Sequence, residues 1–224
     1  LLRRARSAHA KQMSTAKPCD YDKVFDEKRA RSNAREYARN GLSGDQRRIV
    51  NLVRETMPPG YDVLELGGGV GEIQIELLKV GAARVLNVEL ATQYEAVAAE
   101  LIQERGLGDS VERRLGDFVR EAGSIPAADV VVMNRVVCCY PDADALVTAA
   151  ADHARRLLVM TFPVDRWWIR LGLAVANTVL RIRGRTFRAY AHATRAVLST
   201  AERRGMLMTE HRRGLVWQLI ALER

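Results

Sequence analysis

The sequence is short of what marks a secreted, membrane-spanning or metal-binding chain. It has three cysteines in 224 residues, too few for a disulfide framework. Two of them, Cys138 and Cys139, are adjacent inside an apolar run, where thiols behave as small buried hydrophobes. No other Cys or His stands near them at ligand spacing, so no metal site is expected. No apolar run reaches the roughly 20 residues that a membrane span needs. The first residues, LLRRARSAHAKQMST, lack the apolar core of a secretory signal. No internal repeat or low-complexity tract is present. These absences favour a globular protein of a reducing, cytoplasmic setting. The sequence does not begin with Met, as a trimmed chain or a fragment would not.

What is present is patterned. Nearly half the residues are apolar, enough for one sizeable core. Charge is uneven along the chain. Residues 1–60 hold 14 Lys/Arg against 7 Asp/Glu, residues 61–154 hold 7 against 16, and residues 155–224 hold 14 against 4. An acidic middle is thus flanked by basic ends, which could meet nucleic acid, an anionic membrane or an acidic substrate, or simply be solvated. Residues 1–19 are expected to form a flexible basic tail.

From Val63 onward, short apolar runs alternate with helical patterns. Strands are expected at 63–66, 84–89, 111–115, 129–134 and 155–162, with helices near 71–80, 92–106 and 142–154. Thr92 with Glu95 reads as a helix N-cap, and Gly106 as its end. Strands alternating with helices argue for a parallel α/β sheet covered on both faces. The last segment reads as two strands around Arg213-Gly214, which adds an antiparallel hairpin. Residues 20–57 read as helical, broken by Pro58-Pro59-Gly60.

The stretch DVLELGGGVGEIQIELL, residues 62–78, places four glycines between a strand and a helix. Removing side chains there allows a sharp turn and a ligand against the main chain. Free N–H groups at a helix start attract an anionic group. A phosphate-gripping loop needs Gly-Lys-Ser/Thr at its end, and this one has Gly-Glu. A dinucleotide loop needs G-x-G-x-x-G, and here Glu72 takes the last position.

The spacing Glu65, Gly67, Gly69, Gly71 resembles motif I of the class I S-adenosylmethionine-dependent methyltransferases. Glu89, at the end of the second strand, and Gly116-Asp117-Phe118, after the third, fit the same family. The resemblance is firm over about residues 60–162. It extends more loosely to the magnesium-protoporphyrin O-methyltransferase branch through FDEKRARSNAREYARNGL, CCYPD and TFRAYAHATRAVLSTAERRGM. It implies a Rossmann-like, doubly wound, mostly parallel seven-stranded sheet with a C-terminal antiparallel hairpin. It also implies S-adenosylmethionine as cofactor, with S-adenosylhomocysteine as product. Cofactor binding then falls to Glu65, Gly67, Gly68, Gly69 and Gly71 in the loop, Glu89 at the ribose, Asp117 and Phe118 at the adenine, and Leu90, Gly116 and Asn134 beside them. Residues 20–60 would form a helical lid before a methyltransferase domain at 61–224.

The acceptor side is less defined. Tyr140 is the candidate to hydrogen-bond the acceptor, and His192 the candidate general base. Tyr37, Arg135, Tyr140 and Trp168 are the candidate acceptor-binding residues. The insert at about 163–192 is rich in Trp and Arg. Its segment 166–185 reads as a cap over an acceptor pocket, as a helix covering the sheet edge, or as an interfacial helix at a membrane. The expected partner is a small apolar or acidic molecule, methylated at oxygen by family analogy, with the oligomeric state left open. Two rivals stand beside this. One is RNA methylation, prompted by the basic ends, against which no Asn-Pro-Pro-Tyr-type motif follows the fourth strand and no aromatic-basic platform is evident. The other is a non-catalytic cofactor-binding or membrane-surface module.

Overall fold

The computed structural model describes residues 21–224; the expected basic tail and Cys19 lie outside them. Seven strands form one sheet in the order β3-β2-β1-β4-β5-β7-β6. β1 (Tyr61–Leu66), β2 (Ala82–Glu89), β3 (Val111–Leu115), β4 (Ala128–Asn134) and β5 (Ala154–Pro163) run parallel. β6 (Leu207–Arg213) and β7 (Trp217–Glu223) close the sheet as an antiparallel hairpin, with β7 against β5. This is the expected mostly parallel sheet with its terminal hairpin.

The central strands are continuous apolar runs because both faces are covered. In β4, Val130, Val131, Val132 and Met133 are all fully buried. Odd and even side chains enter different cores. Val131 and Met133 pack with Leu146, Val147 and Ala150 of α7 (Ala143–His153) and with Val197 and Ala201 of α9 (Thr194–Arg203). Val130 and Val132 pack on the other face with Ile49, Leu52 and Val53 of α3 (Gly44–Thr56) and with Ile73 and Leu77 of α4 (Glu72–Lys79).

The helix starts follow local chemistry. Asp142 caps α7 by accepting from the Ala145 N–H at 2.9 Å. Asp26 accepts from the Arg29 N–H at the start of α2 (Glu27–Asn40). Such caps satisfy backbone donors that have no partner within the helix. The expected Thr92 cap is different in the structure. Thr92 opens a 3₁₀ turn, Thr92–Tyr94, and α5 (Glu95–Glu104) begins after it. Both the Thr92 N–H and its hydroxyl instead donate to the Asp22 carboxylate on α1 (Tyr21–Val24), at 2.8 and 3.0 Å. A charged acceptor outcompetes the local cap. Gly106 ends the helix as expected, in the left-handed region at φ 66°.

The 20–60 segment divides. α3 packs into the core, whereas α1 and α2 lie over the ends of the strands. The insert after β5 folds as α8 (Trp167–Ile182), none of whose residues is buried. Among the described residues, no helix is long and apolar enough to cross a membrane.

Candidate active site

The strand order reverses direction between β1 and β4, the position where open α/β sheets bind ligands beyond the carboxyl ends of their strands. A cavity of about 250 Å³ opens there, bordered by the loops after β1, β2 and β4 and roofed by α1 and α2.

The loop after β1 is side-chain-free for steric reasons. At Gly67 the backbone has φ 65°, and a Cβ would stand 2.7 Å from Val136 Cγ2. At Gly68 a Cβ would strike the Asn87 amide and the Glu65 carboxylate. The loop is fixed from both sides. Gly67 N–H donates to Val88 O, and Gly69 N–H donates to Glu89 Oε2 at 2.9 Å. Glu89 Oε1 accepts in turn from the N–H groups of Leu90 and Ala91, at 2.8 and 2.9 Å. One carboxylate, 7% exposed and on the cavity wall, therefore organises two loops.

Beneath the loop lies a buried polar layer. Glu65 is 1% exposed, and its Oε1 has no partner among the described residues. Burial first, and the neighbouring Glu72 charge second, push its carboxyl up to about 8. Burial also raises Glu72, although Gln46 donates to it. Asn87 Oδ1 and Arg113 Nη1 are buried and unpaired as well. Arg113 offsets this only in part: its charge lowers both carboxyls, while its guanidinium is paired with Glu95 at 2.7 Å and donates to Gly69 O. Buried polar groups without partners cost free energy. This cluster is complementary to a ligand carrying positive charge and hydrogen-bonding groups.

Of the residues expected at the cofactor, Glu65, Gly67, Gly68, Gly69, Glu89, Leu90, Gly116, Phe118 and Asn134 line the cavity. Gly71 lies just behind, opening α4 at φ 94°. Asp117 is not in the lining. Its carboxylate caps α6 (Phe118–Glu121) through the Val119 N–H and accepts from the Tyr140 hydroxyl at 3.0 Å. Asn134 accepts from the Thr161 hydroxyl at 2.7 Å.

On the acceptor side the sequence expectations divide. Tyr140 and Arg135 line the cavity. Burial first, with Asp117 second, raises the Tyr140 phenol far above its ordinary value, so it remains a donor. Arg135 is the one non-glycine residue with positive φ among those described, at 60°. Its N–H donates to Thr161, and its guanidinium pairs with Asp45 at 3.0 Å and lies 4.5 Å over the Trp217 ring.

Three expectations are corrected by position. Tyr37 is 5% exposed in α2 and outside the cavity; its hydroxyl donates to Glu76. Trp168 stands exposed on α8, away from the lining. His192 borders a separate depression with Pro141 and Asp144, and its Nε2 lies 3.0 Å from the Tyr140 carbonyl. That contact ties a strap to a turn and leaves the imidazole outside the cavity. Cys139 is also corrected: it is half-buried and lines the cavity, whereas Cys138 is buried as expected.

Sequence reasoning missed Arg29, Asn33 and Tyr94 in the lining. Tyr21 and Phe25 border the same opening, where their rings and those of Phe187 and Tyr94 meet at centroid distances of 5.5–6.4 Å. The Tyr21 hydroxyl donates to Cys139 O at 2.8 Å, latching α1 onto the turn after β4.

No protein-family model matches the chain. It is 29% identical over 107 residues to a ribosomal protein L11 methyltransferase of Syntrophomonas wolfei, which takes in 46% of this chain and 34% of that protein. The chain thus matches about a third of that relative's length. Among solved structures it resembles magnesium protoporphyrin IX methyltransferase from Synechocystis PCC 6803 with bound SAH. There the TM-score is 0.69 and the identity 22%, over 92% of this chain and 97% of that one. It also resembles an O-methyltransferase family 2 protein from Planctomyces limnophilus in complex with apigenin. That match has a TM-score of 0.62 and 18% identity, over 88% of this chain and 61% of that one. The seven-stranded sheet with its terminal hairpin is the fold that this chain shares with these methyltransferases.

Proposed function

We propose that the protein is an S-adenosylmethionine-dependent methyltransferase that methylates a small apolar or acidic molecule at oxygen. The carrying observation is the glycine loop at the β1/β4 reversal, closed to any side chain at Gly67 and Gly68 and backed by the buried carboxyls of Glu65 and Glu72. A pyrophosphate would further oppose ionisation of these carboxyls, which burial already disfavours, whereas a cationic group would favour it. A ligand with one carboxylate and two cationic groups suits the site.

In this reading Glu65 and the loop hold the amino-acid end, Glu89 the ribose hydroxyls, and Gly116 and Phe118 the adenine. Glu89 keeps a free lone-pair site after its three backbone donors, since a carboxylate offers about four. When bound, the cofactor supplies a methyl group already activated on a sulfonium. What the chain adds is orientation and exclusion of water, which supply much of such an acceleration. The ring cluster of Tyr21, Phe25, Tyr94 and Phe187 and the Tyr21–Cys139 latch do the excluding.

The acceptor follows from the same lining. No histidine lines the cavity among the described residues, and the Tyr140 phenol is held protonated. An acceptor that is already anionic, such as a carboxylate, needs no base to remove a proton. Arg29 at the wall favours an acidic group. Two of the structural neighbours are named for, or bound to, small molecules, magnesium protoporphyrin IX and apigenin, which supports a small acceptor.

The test is calorimetry with S-adenosylmethionine and S-adenosylhomocysteine, beside NAD and ATP. Binding of the first two alone is expected. Mass spectrometry of a metabolite extract incubated with enzyme and cofactor should then show a species heavier by one methyl group. Binding of NAD or ATP in place of the sulfonium ligand would overturn the reading.

A further inference from the structure

Helix α8 carries an apolar face that nothing among the described residues covers. At 3.6 residues per turn, Ile169, Leu173 and Leu180 fall on one side of it and are half-buried. On the opposite side Trp167, Trp168, Leu171, Val175, Val179 and Ile182 fall within an arc of about 120°. All are exposed, Trp167 to 72% and Ile182 to 80%. The patch continues off the helix. The Val164 N–H donates to Val216 O at 2.9 Å, setting the β6–β7 turn beside the start of α8. Leu215 and Val216 in that turn are exposed too. A contiguous apolar patch rimmed by polar residues marks an interaction surface.

Charge selects the occupant. Residues 166–201 contain seven arginines and no Asp or Glu. Arg170 and Arg181 fall along one edge of the exposed arc and Arg183 beyond the other. Arg170 pairs with Asp165, but among the described residues Arg181 and Arg183 have no acidic partner. Indoles and arginines around an aliphatic centre suit a helix lying in the plane of a bilayer, with cations at headgroup level. Nucleic acid would pair the arginines but leave the aliphatic arc in water. A second copy would cover the arc but press like charges together.

We infer that α8 and the β6–β7 turn seat the protein on an anionic phospholipid surface. The docked helix is wired to the cavity. Asn177 bonds both backbone groups of Ala189 through its amide, Tyr190 N–H donates to Cys138 O, and Phe187 packs on Tyr21 and Phe25. The cavity mouth therefore sits near the bilayer, where an apolar acceptor concentrates. The docking itself does not rest on the methyl-transfer reading.

The test is co-sedimentation of the full chain with vesicles of phosphatidylcholine containing phosphatidylglycerol, and with vesicles of phosphatidylcholine alone. Binding is expected to the anionic vesicles and to weaken with salt. Replacing exposed Trp167, Leu171 and Ile182 together by Ser should abolish it, with thermal unfolding and cofactor affinity unchanged. Arg181→Glu with Arg183→Glu should weaken it by at least about fivefold per arginine. Three results would overturn the inference: no sedimentation with anionic vesicles; sedimentation that the triple Ser variant retains; or, by ultracentrifugation and gel shift, a dimer or an RNA complex taking the place of vesicle binding.

Discussion

The Gly69 amide and the Glu89 carboxylate are joined by a hydrogen bond of 2.9 Å, across twenty residues of sequence. The residue expected to grip the ribose therefore also holds the glycine loop in shape. Because Leu90 and Ala91 donate to the same carboxylate, its loss frees three backbone N–H groups at once. Glu89→Ala should weaken S-adenosylhomocysteine binding at least tenfold and lower unfolding stability by about 1–3 kcal/mol, the cost of leaving buried donors unpaired. Glu89→Gln keeps the shape but turns an NH₂ group towards backbone N–H groups. It should keep most of the stability and still bind more weakly. Calorimetry and thermal unfolding on the two variants separate grip from scaffold.

Gly68→Ala tests the closeness of the loop to its floor. The added methyl meets the Asn87 amide and the Glu65 carboxylate, both buried. Neither can retreat without exposing or repacking the polar layer. Cofactor affinity should fall by at least about 100-fold. Gly123→Ala, where a Cβ meets nothing within 4 Å, is the control that should leave affinity unchanged.

Much of this architecture was legible from the chain because its signals are local. β4 shows as an apolar run, the glycine loop as a strand-to-helix junction, and the terminal hairpin as two runs around Arg213-Gly214. What was not legible depends on direction and distance. Thr92 looked like a cap, but its partner is Asp22, seventy residues away. Tyr37, Trp168 and His192 have plausible chemistry, yet their side chains turn to Glu76, to the outer surface and to the Tyr140 carbonyl. Arg29 and Tyr94 enter the cavity because α2 packs against α5 and the 3₁₀ turn Thr92–Tyr94, which no short pattern encodes.

His192 should be dispensable for chemistry. It lies outside the cavity, and its one polar contact among the described residues is with a backbone carbonyl. His192→Gln, which keeps a donor for that carbonyl, should leave kcat within about threefold and show no altered pH profile. A loss of several orders of magnitude with intact cofactor binding would restore the histidine as a base.

Glu65 should make ligand binding and stability depend on pH in opposite directions. Its carboxyl titrates near 8 in the fold, against about 4.3 in an unfolded chain. Below about pH 4 both states hold the proton, so Glu65 contributes no pH dependence there. As pH rises from about 4 to 8 the unfolded chain ionises while the fold does not, so stability declines, and the decline levels off above 8. A cationic ligand next to Glu65 favours the carboxylate, so binding should release a proton and strengthen as pH rises from 6 towards 8. Glu65→Gln removes both effects. The difference between wild type and Glu65→Gln, in calorimetry at a series of pH values and in urea unfolding, isolates this carboxyl from the ligand's own amino group. Identical pH slopes for the two proteins would show that Glu65 faces no cationic ligand, and with that the electrostatic case for a sulfonium cofactor would be lost.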